Sequence, residues 1–314
     1  MPNLNEIREE IKHIGSPFDV VRRKYIKELS EYTGRNVIIY YSGWLQKKID
    51  GVSVNDADKD GFMAVIHKMD KSKGLDLILH TPGGDVAATE SLVDYLHSMF
   101  GNNIRAIVPQ LAMSAGTMIA CACKEILMGQ HSSLGPIDPQ YNGIPAYGIV
   151  EEFQRAYKEI QTAAANHARN QQDPILFGEY QAKLAIWQPI IAKYNPTLIG
   201  ECEKSLTWSG NMVKDWLSNN MFVEADEKSR SKIVDNIITE LQNHSINKTH
   251  SRHLNIQKCI DIGLKIRRIE DDNTLQDLIL SIHHSSIHTL TQTNAFKIIE
   301  NQDGKALIQQ VLVH

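Results

Sequence analysis

Between Leu75 and Met128 the chain alternates short apolar runs with amphipathic stretches, and few folds can satisfy that order. Leu75-Asp76-Leu77-Ile78-Leu79-His80 has the length and composition of a strand and ends in Thr81-Pro82-Gly83-Gly84-Asp85. Ala87–Met99 follows with Leu92, Val93, Tyr95 and Leu96 on one helical face. Ile104–Pro109 is the next strand, Ser114–Cys123 a small-residue apolar helix, and Glu125–Met128 another strand. Strands that alternate with helices need crossover connections, which produce a mainly parallel sheet covered on both faces. Val37–Tyr41, bounded by Gly34 and Gly43, adds a buried strand upstream, and Asp58–Met69 reads as a helix. The fold class is α/β.

The flanks are simpler. Residues 4–32 carry apolar positions at helical spacing, broken at Gly15-Ser16-Pro17, so residues 1–34 read as an amphipathic helical arm. Beyond Tyr147 helices dominate, over Ile149–His167, Tyr180–Tyr194, Pro196–Glu203, Gly210–Asn219 and Ser229–Asn243. Asn255–Ile262 is helical again, and residues 271–314 read as a helical tail of two stretches around a Ser/His/Thr-rich turn. This divides the chain into the arm, a core domain over 35–270 and the tail. No internal repeat or low-complexity segment interrupts it.

Composition excludes several function classes. A formal charge of -4 with 22% charged residues lacks the basic footprint of a protein that grips phosphates, so nucleic acid is not the expected partner. Cys121, Cys123, Cys202 and Cys259 have neither zinc-site nor disulfide-framework spacing, which suits a reducing cytosol. The first residues show no basic start with an apolar core, and no run approaches the ~20 apolar residues of a membrane span. A cytoplasmic protein without an integral membrane segment is expected. No phosphate-binding Gly-x-x-x-x-Gly-Lys-Ser/Thr loop is present, so any chemistry should be independent of ATP, and no cofactor is implied.

The chemistry-bearing residues sit at the strand ends. Gly83-Gly84 lies between a strand and a helix, where glycines allow close approach and direct amide hydrogens at a ligand. Taken alone, the pair is equally good turn chemistry. Ser114 opens the next helix, where a serine can cap the first turn. The same position suits a nucleophile, because the helix dipole and the Ala115 amide favour the negative charge that develops on an attacked carbonyl.

Leu79-His80-Thr81-Pro82-Gly83-Gly84-Asp85 followed by Met113-Ser114-Ala115-Gly116-Thr117 resembles the paired motifs of Clp peptidases and signal peptide peptidase A. Leu134-Gly135-Pro136-Ile137-Asp138-Pro139-Gln140 most resembles the serine dehydrogenase proteinase family within that clan. The resemblance covers roughly residues 35–145 and, more loosely, 249–266. It implies a Clp/crotonase-like fold of repeated ββα-type units with added helices. It also implies a serine endopeptidase acting on peptides or unfolded polypeptide, assembled as a homo-oligomeric ring. Ser114 would be the nucleophile, with the amides of Gly84 and Ala115 forming the oxyanion hole and Gly83 shaping the turn.

The base is where the sequence departs from the Clp pattern. Asp138 stands where Clp peptidases carry their histidine. The serine dehydrogenase proteinases use Ser, Asp and His in that chain order, which makes Asp138 the carboxylate. His250, ahead of a helix ending in Gly263-Leu264, then becomes the histidine, with His253 competing three residues on. A Ser/Lys dyad with Lys158 or Lys183 as a desolvated base is the alternative. A crotonase-type acyl-CoA enzyme, or a scaffold that has lost its base, would share the fold. The remaining features have plainer readings: His283, His284 and His288 as solvated histidines with no metal, Cys121 and Cys123 as small hydrophobes, and Trp208 and Trp216 as helix-packing anchors.

Overall fold

The computed structural model describes residues 7, 9–10, 19–242 and 252–311. In chain order its first elements are α1 (Val20–Thr33), β1 (Asn36–Ser42), α2 (Ala57–Ile66), β2 (Leu75–His80), α3 (Val86–Phe100) and β3 (Ile104–Val108). Next come β4 (Leu111–Ala112), α4 (Ala115–Cys121), β5 (Glu125–Met128), β6 (Ser133–Leu134), β7 (Gln140–Tyr141) and β8 (Ile144–Pro145). The helical region holds α5 (Ala146–Arg169), α6 (Pro174–Ile191), α7 (Leu198–Trp216) and α8 (Glu227–Gln242). The chain closes with β9 (Leu254–Asn255), α9 (Ile256–Asp261), β10 (Ile266–Arg268), α10 (Asn273–Gln292), β11 (Ala295–Asn301) and β12 (Ala306–Gln310).

Seven strands form the central sheet in the order β10-β5-β3-β2-β1-β11-β12. The five from β10 to β1 are parallel, and β11 and β12 add on antiparallel. Strand alternation divides the interior in two. Ile38 and Tyr40, Leu77 and Leu79, Ala106 and Val108 face one core with α2, α3, α4, α7 and α8. Val37, Ile39, Tyr41, Ile78, Ile107 and Leu127 face the other, closed by α1 and α10. A strand buried on both faces reads as a continuous apolar run, which is why β1 was legible. This is the mostly parallel α/β architecture expected, with helices on both sides.

Past the ends of the parallel strands the chain makes a second set of short pairings. β4 pairs in parallel with β6, and β6 pairs antiparallel with β9. Thr81 bridges Ala112, and Val54 bridges Gly84. Each of β2, β3 and β5 therefore continues into a loop that is itself hydrogen-bonded, and these loops carry the sequence motifs.

The helical tail requires correction. Only its first half is a helix; β11 and β12 are a hairpin, and β11 pairs with β1 from Ile38↔Asn301 to Ser42↔Lys297. The apolar residues Phe296, Ile298 and Ile299 fit either period. What decides is the exposed edge of β1, whose amides and carbonyls need a partner strand. Asp303-Gly304, with Gly304 at φ +75°, makes the reversal. The arm is likewise part of the same body: Ile26 and Leu29 of α1 are buried in the second core, and Arg22 is buried against Glu300 of β11 at 2.5 Å.

Candidate active site

The loop after β2 is held on both sides. Thr81 N donates to the Leu111 carbonyl (3.1 Å), and the Thr81 carbonyl accepts from Met113 N (3.0 Å), so the two motif loops run side by side. Beyond them, Val54 N donates to the Gly83 carbonyl (2.8 Å) and Asp85 N to the Val54 carbonyl (2.9 Å). Asp85 then caps α3 through its side chain, which accepts from Ala88 N at 2.7 Å.

Gly83 stands at φ +95°, and a Cβ there would lie 2.6 Å from Ser114 Cβ, 2.7 Å from the Met113 carbonyl oxygen and 2.8 Å from Ala115 N. At Gly84 a Cβ would collide with the Val54 backbone. Glycine is thus required twice, once for conformation and contact and once for contact with a neighbouring strand. The Gly84 amide nitrogen is two bonds from Gly83 Cα, and Ala115 N lies 2.8 Å from where a Cβ on that carbon would stand. Two backbone N–H groups and one serine share a few ångströms of surface.

Ser114 adopts φ 50° and ψ -114°, a conformation an L-residue rarely takes, and its side chain makes no capping bond to α4. The cap reading therefore does not hold. Strain of this kind costs about 1–3 kcal/mol and persists where the surroundings enforce it. Here they do: Gly116 N bonds the Met113 carbonyl (2.8 Å), Met118 N bonds the Ser114 carbonyl (3.1 Å), and Gly116 packs against Thr81. Thr117 Oγ1 accepts from Gly135 N at 2.9 Å and reaches the Ala112 carbonyl at 2.8 Å. That hydroxyl ties the serine turn to the loop carrying Asp138.

A cleft of about 500 Å³ opens at this point, lined among others by Gly83, Gly84, Ser114, Met118, Ile137 and Trp208. Trp208 is 42% exposed on α7, its Nε1 directed at Glu90 Oε1 (3.4 Å). It is a cleft residue and not the packing anchor that helical spacing suggests; Trp216, one face over, is buried. Only the return of the helical region over the sheet edge reveals this.

The candidate bases are distributed differently. Asp138 is buried between Ile137 and Pro139, which both line the cleft. Ile137 N bonds the Leu241 carbonyl at 3.0 Å, and Leu134 pairs with Leu254. His250 lies outside the described residues, between those two anchored points in sequence; His253 is exposed. Lys158 is exposed on α5, and Lys183 pairs with Glu159 at 3.0 Å; neither lines the cleft. A dyad base needs a desolvated amine inside the cleft, and neither lysine occupies such a place.

The histidines of α10 also differ from expectation. His283 is buried, its Nδ1 3.2 Å from the Tyr41 hydroxyl, and its ring meets His80 edge-on at 5.4 Å between centroids. Burial, then the nearby histidines, pushes its pKa well down. His80 is enclosed by Tyr41 and Trp44, and burial brings it to about 3. Among the described residues neither His80 ring nitrogen has a hydrogen-bond partner, and no three metal-capable side chains converge. All four cysteines are free and buried. Also among these residues, no helix is long and apolar enough to cross a membrane.

A mostly parallel sheet whose loops set a strained serine against a glycine turn is a ClpP-like α/β architecture. The sequence agrees: residues 18–167, which span all of α1, both motif loops and nearly all of α5, match the model of the ClpP-like SDH-type serine proteinases. It is also 34% identical over 140 residues to Uncharacterized protein MJ0137 of Methanocaldococcus jannaschii, covering 43% of this chain and 49% of that one. A second protein of that organism, Uncharacterized protein MJ1495, is 34% identical over 103 residues, covering 33% of this chain and 35% of its own length. The chain thus aligns with about half of the first relative and about a third of the second.

Proposed function

We propose that this protein is a serine proteinase that cleaves peptides or unfolded polypeptide segments through an acyl-enzyme on Ser114. The observation that carries the reading is the strained, uncapped Ser114 set against Gly83 inside a cleft. Its Oγ would attack the peptide carbonyl carbon while a base takes the hydroxyl proton. The amides of Gly84 and Ala115 would hold the oxyanion, the C–N bond would break as the amine leaves with a proton, and water would then release the acyl group.

For the base, the triad Ser114, Asp138 and His250 is the reading favoured over Lys158 or Lys183. Asp138 is buried beside the cleft wall, and His250 is four residues from Leu254, which pairs with Leu134. Assembly into a homo-oligomeric ring, cytoplasmic location and independence of ATP belong to the same proposal.

A serine-directed fluorophosphonate tests it. The native protein should be labelled at Ser114 and Ser114→Ala should not. Native protein that stays unlabelled would remove the peptidase reading in favour of a scaffold, and acyl-CoA binding without labelling would favour the crotonase type.

A further inference from the structure

β11 brings a buried charge to the back of the active-site loops. Lys297 is fully buried, and its Nζ donates to Asp58 Oδ1 at 2.6 Å and to the Ser53 carbonyl at 2.9 Å. Asp58, also fully buried, sits in the first turn of α2. Its Oδ2 accepts from the Tyr40 hydroxyl at 2.8 Å and from the Asn55 amide at 3.0 Å. The pair therefore grips residues 53 and 55, one on each side of Val54.

Val54 is the residue whose backbone holds the glycine turn, through its N–H to the Gly83 carbonyl and its carbonyl to the Asp85 amide. The peptide whose carbonyl accepts the first of those bonds is the one whose N–H belongs to Gly84. A continuous chain of hydrogen bonds thus runs from the ammonium of Lys297 to the proposed oxyanion donor, and neither β11 nor α2 lines the cleft.

Stability alone does not explain such a pair. Desolvating two charges costs several kcal/mol, and well-packed apolar residues often serve a core as well or better. What an ion pair adds is direction, because its donors and acceptors fit only one placement of the 53–55 segment. Oxyanion stabilisation depends on that: donors must be fixed where charge will develop, without reorganising during reaction.

We propose that Lys297 and Asp58 are positioning residues for catalysis: through Ser53, Val54 and Asn55 they fix the Gly83–Gly84 peptide that faces Ser114. The inference rests on the peptidase reading for its catalytic consequence but not for its geometry. It also places part of the catalytic support on a strand outside the stretch of residues 18–167 that marks the family.

The test uses the full chain as wild type, Lys297→Met, the neutral pair Lys297→Met with Asp58→Asn, and Arg22→Met. The last disturbs the other buried ion pair of β11, Arg22–Glu300, away from residues 53–55. Amide hydrogen exchange is read at Val54 and Asp85, together with the rate of fluorophosphonate labelling. Exchange at both amides should quicken at least tenfold in Lys297→Met and in the neutral pair. Labelling should slow by about 10- to 100-fold, below the 10²–10³ loss for deleting an oxyanion donor outright. Arg22→Met should leave both near wild type. Native protection at Val54 and Asp85 in a folded Lys297 variant overturns the proposal, as does equal slowing of labelling in Arg22→Met. Because the neutral pair leaves no uncompensated charge, it decides the matter if the single variant does not fold. If wild type is not labelled, the peptidase reading fails and exchange alone judges the clamp.

Discussion

Replacing Gly83 by alanine isolates what the serine turn needs from its neighbour. The backbone at φ +95° charges an alanine about 1–3 kcal/mol before any contact is considered. The added Cβ would then fall 2.6–2.8 Å from Ser114 Cβ, the Met113 carbonyl oxygen and Ala115 N. Ordinary contact is near 3.5–4.0 Å, so the two loops must part by about 1 Å. A displacement of that size between reacting groups costs roughly 10²-fold, or about 2.7 kcal/mol of barrier. Fluorophosphonate labelling of Gly83→Ala should therefore slow by about two orders of magnitude while the protein stays folded. Gly34→Ala is the control, because Gly34 has φ +65° and nothing within 4 Å of a new Cβ. It should carry a strain cost of about 1–2 kcal/mol and label at the native rate. Labelling of Gly83→Ala within about threefold of wild type would refute the reasoning, since a ~1 Å parting of the loops could not then have occurred.

Other perturbations test separate parts of the molecule. His80 stays neutral in the fold down to a pKa of about 3, whereas the unfolded chain takes up that proton near ~6.5. Stability should therefore fall as pH drops through that window, by up to about 1.4 kcal/mol per unit, or roughly 2 kcal/mol between pH 6.5 and 5. His80→Phe should flatten that dependence in urea unfolding, leaving the part due to His283; an unchanged slope counts against it. Trp208→Ala should raise KM for peptide about tenfold with a smaller change in kcat, because Trp208 lines the cleft away from the reacting atoms. Equal loss in both constants would place it in the chemistry instead. His250→Ala should lower turnover at least 10²-fold and Lys183→Ala by less than about twofold, while full turnover in His250→Ala would end the triad.

Local pattern alone determined the parallel core of this protein. Runs such as Val37–Tyr41 and Leu75–His80, short and flanked by glycine or proline, read as buried strands, and the order strand, Gly83-Gly84, helix, strand, Ser114 followed from counting along the chain. Contacts between distant segments decided the rest. Phe296–Ile299 fits a helix as readily as a strand until β1 offers an edge to pair with. Trp208 becomes a cleft residue only when α7 crosses above Ser114. The role of Lys297 exists only where 239 residues of separation from Asp58 are closed by the sheet. Periodicity reports which face of an element is apolar, but it carries no record of which neighbour that face will meet, because pairing energy is set between elements and not within them.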